Sequence, residues 1–147
     1  MDKENKDFCM KQAAAYVDGS YDVRSGAYSC GIVFIYDGEV RTFSKRYDDP
    51  DSARSRNVAG EIKGAEVIMK HCAKHGIKHL DLFYDYEGIA AWCLGRWKAK
   101  LPITKAYKEF YDSIKNHLNV TFHKVTAHTG DRYNEQADKL AKDVLSL

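Results

Sequence analysis

Apolar and polar positions change period several times along the chain, and each change marks an element. Gln12 to Asp18 reads as a strand that ends at a Gly19-Ser20 turn. Tyr28 to Tyr36 is apolar and rich in β-branched and aromatic residues, Asp37-Gly38 is a two-residue hairpin signal, and Glu39 to Tyr47 returns as a third strand. Asp48 to Arg56, with Pro50 and several Ser and Asp residues, is a loop. A helix follows from Asn57 to His75, stopped by Gly76; its apolar positions Val58, Ile62, Ala65, Met69 and Cys72 share one face at the 3.6-residue period. Gly60 and Gly64 lie inside that helix. Each costs about 1 kcal/mol against Ala, which predicts a close approach of helix to sheet.

Lys78 to Tyr84 alternates as a fourth strand, Glu87 to Leu94 is a short helix, and Thr104 to His117 is another with Thr104 as its N-cap. Val120 to Ala127 is a fifth strand, and Tyr133 to Leu145 a last helix with Ala137, Leu140, Ala141 and Val144 on its apolar face. The order β-β-β-α-β-α-α-β-α predicts an α/β domain: a five-stranded mixed sheet, its first three strands antiparallel, flanked by helices. There is no internal repeat or linker, so residues 12–147 are expected to form one domain behind a disordered polar lead over 1–11.

Composition removes whole classes. With 147 residues, 44% hydrophobic, 30% charged and only 2 Pro, the chain is neither disordered nor fibrous. Its longest apolar runs, such as Ile32 to Ile35, are far too short to span a membrane, and the first eleven residues lack a signal-peptide core. The four cysteines form no C-x-x-C pair, which excludes paired zinc knuckles and argues against a disulfide framework. A monomer in the reducing cytoplasm is expected. The net charge of +2 hides clusters of basic residues at Lys45-Arg46, Arg54 and Arg56, and Arg96, Lys98 and Lys100.

Four acids stand out by placement. Asp18 and Asp85 end strands, Glu61 lies in the first turns of the long helix, and Asp138 is in the last helix. Open α/β sheets bind ligands beyond the carboxyl ends of their strands. One strand-end Asp is ordinarily a turn former; two of them joined by two helical acids are harder to explain that way.

With these residues the chain resembles type 1 ribonuclease H from about Gln12 to Leu145. The resemblance rests on Asp18-Gly19-Ser20, on Asn57 four residues before Glu61, on Asp85 at a strand end, and on His128 followed by Gly130, Asn134 and Asp138. It implies an endoribonuclease that hydrolyses the RNA strand of RNA–DNA hybrids with two Mg²⁺ ions, Mn²⁺ being a possible substitute, and leaves 5′-phosphate and 3′-hydroxyl ends. Asp18 would bridge the ions, Asp138 complete the water-activating site, and Glu61 and Asp85 complete the leaving-group site. Hard cations take oxygen ligands, and a two-ion site both activates water and stabilises a leaving oxygen. His128 would assist proton transfer or product release, and Asn134, among the substrate-binding residues, would help hold the metal-site geometry.

For the hybrid, the resemblance places Asn57 at a 2′-OH contact, and the same residue suits a helix N-cap; both roles stay open. Arg54 and Arg56 would reach phosphates, with Gly19 and Ser20 beside the first acid and Thr104 as a looser match to a phosphate-pocket position. Phosphate contacts position without specifying sequence. The chain departs from the family at Tyr84-Asp85-Tyr86-Glu87, where many members have Thr-Asp-Ser, and its basic segment after Trp97 is short. Trp92 and Trp97 are expected to pack between helix and sheet. His71, His75 and His79 recur every four residues, but Gly76 interrupts them and a helix C-terminus favours such side chains through its dipole, so no metal site is expected there. The alternatives are a silent hybrid-binding module, or a DNA nuclease or strand-transferase of the same fold.

Overall fold

The structure, a computed structural model, describes residues 12–49, 56–126 and 131–147. The lead at 1–11, with Cys9, the loop residue Arg54 and the His128 segment lie outside the described residues. Strands β1 (Gln12–Tyr21), β2 (Tyr28–Tyr36) and β3 (Glu39–Tyr47) are followed by helix α1 (Asn57–Lys74) and strand β4 (His79–Tyr84). Helices α2 (Gly88–Cys93) and α3 (Pro102–Ile114), strand β5 (Asn119–Lys124) and helix α4 (Arg132–Asp143) complete the chain. The sheet order is β3-β2-β1-β4-β5. The β1–β2 and β2–β3 pairs are antiparallel, and the β1–β4 and β4–β5 pairs are parallel. This is the mixed sheet expected from the order of elements.

Strand β1 corrects the expected turn at Gly19-Ser20. It continues to Tyr21, with Asp18, Gly19 and Ser20 opposite Gly31, Cys30 and Ser29. The reversal comes later, where Asp22 Oδ1 accepts the Arg24 N–H and Oδ2 accepts the Ser25 hydroxyl. A strand continues wherever a partner supplies its hydrogen bonds, and β2 supplies them through Tyr28. The β2–β3 hairpin follows expectation: Asp37 and Gly38 both take positive φ, at 53° and 76°, as a tight right-twisting hairpin turn requires.

Helix α1 packs on one face of β1 and β2, and α4 on the other. Small residues set both approaches. A Cβ at Gly60 would stand 1.8 Å from the Ser29 carbonyl oxygen, and one at Gly31 would stand 2.1 Å from the Ala137 carbonyl oxygen. The Ser29 hydroxyl donates to the Ala141 carbonyl and ties α4 to the sheet. Between α1 and the sheet, Val17, Ile32, Ile62, Met69, Leu80 and Leu82 are buried, each worth about 1.5–3 kcal/mol of burial for the larger side chains. Cys30, Cys72 and Cys93 are free and buried, acting as small apolar residues. Among the described residues no helix is long and apolar enough to cross a membrane.

At the long helix the cap residue differs from the one Asn57 offered, and α3 starts two residues earlier than expected. The N-cap position of α1 falls to Arg56, at φ 52°, so Asn57 is the first helical residue rather than the cap. The cap of α3 is Leu101, because Pro102 is pre-organised for the first helical position. Thr104 sits three residues in: its Oγ1 accepts the Leu101 N–H at 3.1 Å and donates to the Leu101 carbonyl at 3.0 Å.

Candidate active site

The site begins with strand register. β1 and β4 pair in parallel up to Tyr16 opposite Phe83. Carrying that register forward two residues sets Asp85 beside Asp18, on the same face of the sheet because side chains alternate. There β4 has ended at Tyr84 while β1 runs on against β2, which opens a cleft at the strand ends. Glu61 enters it from α1. Its Oε2 accepts the backbone N–H of Asp85 at 3.1 Å and its Oε1 that of Tyr86 at 3.2 Å. Asp18, Glu61 and Asp85 each bring a carboxylate oxygen to within 4.8 Å of the others.

Electrostatics of this trio is unfavourable without a counter-charge. Glu61 is only 2% exposed; burial, then the Asp85 charge, pushes its carboxyl well above the usual range. Burial likewise lifts Asp18 from its ordinary 3.8 to about 7, with Asp85 and Asp138 adding and the Gly19 N–H opposing. That N–H donates to Asp18 Oδ1 at 2.9 Å. Like-charged carboxylates in a buried cleft raise one another in this way unless a cation intervenes. The arrangement therefore has the donor set, hard oxygens at close range, that suits a divalent metal.

Asp138 lies on α4, on the face of the sheet that carries Asp18, and its charge adds to the rise of the Asp18 carboxyl. Its own partner is Lys142, one turn on, with Nζ 3.0 Å from Oδ2. Helix α4 is started by Asp131, whose Oδ1 accepts the N–H groups of Tyr133 and Asn134 at 3.0 and 3.2 Å. Asn134 is buried one turn before Asp138.

The other expected site residues separate. Gly19 lies under α1, its Cα 3.1 Å from where a Gly60 Cβ would stand, and Ser20 is buried in the strand. Arg56 is exposed, its guanidinium 5.8 Å from the Tyr21 ring centroid. Thr104 is 3% exposed with its hydroxyl taken up by Leu101, so it is a helix-start residue and does not present itself to a phosphate. Arg54 and His128 fall outside the described residues, and Asn57 is described only as the start of α1. Trp92 packs on the core, but Trp97 remains 41% exposed, in a ring cluster with Tyr86 and Trp92 rather than between helix and sheet. Two participants went unnoticed in the sequence. The Asp138–Lys142 pair was legible from its four-residue spacing; the Tyr86 N–H, a backbone donor, left no signal.

Acids that converge beyond the ends of parallel strands, with room for a divalent cation, are the equipment of a phosphodiester hydrolase. The model of the RNase H family matches residues 10–146. The ribonuclease H of Ehrlichia canis is 28% identical over 146 residues, covering 93% of this chain and 97% of the relative. That of Francisella philomiragia is 30% identical over 140 residues, covering 90% of both. LC11-RNase H1, solved in complex with an RNA/DNA hybrid, superposes with a TM-score of 0.69 at 18% identity over 91% of this chain and 99% of that one. The chain belongs to the RNase H family, and with it to the endoribonucleases.

Proposed function

We propose that this chain hydrolyses the RNA strand of RNA–DNA hybrids at the cleft formed by Asp18, Glu61, Asp85 and Asp138, leaving 5′-phosphate and 3′-hydroxyl ends. The observation that carries the proposal is the convergence of three carboxylates at the strand ends in a member of this family. A structure of similar fold, LC11-RNase H1, holds an RNA/DNA hybrid. Asp18 would help hold both cations, with Asp138 completing the water-activating site and Glu61 and Asp85 the leaving-group site. Mg²⁺, or Mn²⁺ in its place, would supply an activated nucleophile at neutral pH and charge stabilisation on the leaving oxygen.

The chain's own residues do the positioning. The N–H groups of Asp85 and Tyr86 fix both oxygens of Glu61, so its carboxylate is aimed before any ligand arrives. Gly19 orients Asp18 through its N–H, and Lys142 holds Asp138 from the solvent side. Arg56, with Arg54, is assigned to the phosphates, Asn57 to a ribose 2′-OH, and Gly19, Ser20 and Asn134 to the margin of the substrate. His128 is assigned to proton transfer or product release. A cytoplasmic monomer with one catalytic domain over 12–147 belongs to the same proposal.

One assay tests it. RNA–DNA hybrid, duplex RNA and duplex DNA are each incubated with Mg²⁺ and then with EDTA. Cleavage of the hybrid's RNA alone, lost with EDTA and in Asp18→Asn, is the expected result, with His128→Ala slowed but active. Binding of hybrid without cleavage, or cleavage of duplex DNA, overturns it.

A further inference from the structure

The far end of α1 carries a second set of ligating side chains, about 15 Å along the helix from Glu61 at 1.5 Å per residue. His71 and His75 are one turn apart, and their ring centroids lie 4.4 Å from each other. His75 is the C-cap residue, at φ −97° and ψ 12°, near enough to helical to keep its side chain over that of His71. Gly76, at φ 71°, then turns the chain away, and His79 opens β4 with Nδ1 3.3 Å from Asn119 Nδ2. The structure thus removes the third histidine from the run and leaves a pair.

The pair faces a cavity of about 280 Å³ whose other wall is the β2–β3 hairpin, with Phe34, Tyr36, Asp37 and Glu39. Phe34 braces the His71 ring edge-on at 5.2 Å. Two properties suit the pair to chelation. The spacing of i and i+4 imidazoles lets two ring nitrogens converge on one ion. Only the neutral imidazole ligates, and burial, with His75, Arg41 and Lys74 around it, holds His71 below its ordinary value. The helix C-terminus is partially negative, and Asp37 and Glu39 line the same cavity together with Arg41. Arg41 is ion-paired with Glu39 at 2.8 Å.

We propose that His71 and His75 form a chelating site for a divalent transition-metal ion of the imidazole-binding class, Zn²⁺, Ni²⁺ or Cu²⁺, in the cavity between the end of α1 and the β2–β3 hairpin. Water fills the remaining positions. Mg²⁺ is not taken there, since it prefers oxygen ligands and parts reluctantly with its own water. Two protein ligands are fewer than a closed structural zinc site uses, so the ion exchanges with solution. The site is independent of the hydrolytic cleft.

The test uses the tag-free full chain with Mg²⁺ at saturation. ZnCl₂ is titrated by calorimetry, and the histidine ring protons are followed by NMR. One zinc per chain is expected, with the His71 and His75 resonances moving. Affinity is expected to fall at least about tenfold in His71→Gln and in His75→Gln, while their zinc-free melting curves and Mg²⁺-supported hybrid cleavage stay as in the parent chain. Zinc binding unchanged in the double variant, movement confined to other histidines, or no zinc site beyond the acidic cleft overturns the proposal.

Discussion

The carboxylate of Glu61 caps the end of β4, its Oε2 3.1 Å from the backbone nitrogen of Asp85, whose side chain faces the same cleft. One residue thus supplies the N–H that steadies Glu61 and the charge that opposes its ionisation. Burying a carboxylate is costly unless it is hydrogen-bonded and paired. Two backbone N–H groups meet the first need, and the second is left to a cation. This relationship also couples the position of α1 to the end of β4, so metal affinity and local packing should respond together.

Removing charge and removing geometry should be separable. Asp18→Asn and Glu61→Gln are each expected to lower hybrid cleavage at least about a thousandfold, as loss of metal-site electrostatics does. Their metal-free stabilities should differ in sign. Asp18→Asn relieves repulsion and should raise the melting temperature by roughly 3 °C. Glu61→Gln turns an amide NH₂ toward one of two N–H donors and should lower it by a similar amount. Thermal melts in EDTA check the pair; equal shifts would count against the nest at Glu61.

The pH dependence follows from Asp18, lifted from 3.8 to about 7 by burial first and then by Asp85 and Asp138. A carboxyl whose folded value exceeds its unfolded value favours folding while it stays protonated. That contribution is fully present below about pH 4 and is lost as pH rises through about 7. The metal-free melting temperature should therefore carry a component that falls between about pH 5 and 7.5, and saturating Mg²⁺ should flatten it. Apparent Mg²⁺ affinity should weaken by up to about tenfold per pH unit below about 7, because ion and proton compete. Melts and Mg²⁺ titrations across this range measure both.

Lys142 stands where it competes with a cation for Asp138, at 3.0 Å from Oδ2. Both side chains are partly exposed, so the pair contributes roughly 0.3–0.5 kcal/mol to the fold. Lys142→Ala is expected to cost no more than that in metal-free stability while tightening Mg²⁺ binding by a few-fold. Urea unfolding in EDTA and activity against Mg²⁺ concentration give the two readouts, and weaker Mg²⁺ binding would show that Lys142 supports the loaded site instead.

The two glycines of α1 should behave differently. At Gly60 an added Cβ meets the Ser29 carbonyl oxygen at 1.8 Å, and backbone on both sides cannot yield locally. Gly60→Ala is expected to cost about 3 kcal/mol or more, the upper end of overpacking. At Gly64 the nearest atoms are the Cys30 and Val17 side chains, at 3.3 and 3.5 Å. Helix propensity returns about 1 kcal/mol there, so Gly64→Ala should change stability little. Chemical denaturation of both variants settles the contrast.

Much of the fold was legible because it is written in local periodicity. β2 and β3 run over the spans their residue types mark, and Asp37-Gly38 turns as its residue types require. Boundaries were less legible where a distant partner sets them. β1 reads as ending at Asp18 because Gly19 and Ser20 are turn formers, yet β2 holds the strand to Tyr21. Thr104 has the side chain of an N-cap, but Pro102 fixes the helix start earlier and the hydroxyl turns back to Leu101.

The sequence by itself determined the order of elements, the residues available for chemistry and, through the spacing of Asp18, Glu61, Asp85, His128, Asn134 and Asp138, the family. Tertiary structure decided how those acids meet. Asp18 and Asp85, distant along the chain, come side by side through the parallel register of β1 and β4, and Glu61 reaches them because Gly60 lets α1 press against Ser29. It also divided the histidine run, sending His79 into the sheet and leaving His71 and His75 over a shared cavity. Periodicity is a property of neighbours in the chain, whereas register and close approach depend on which distant backbones supply one another's hydrogen bonds and space.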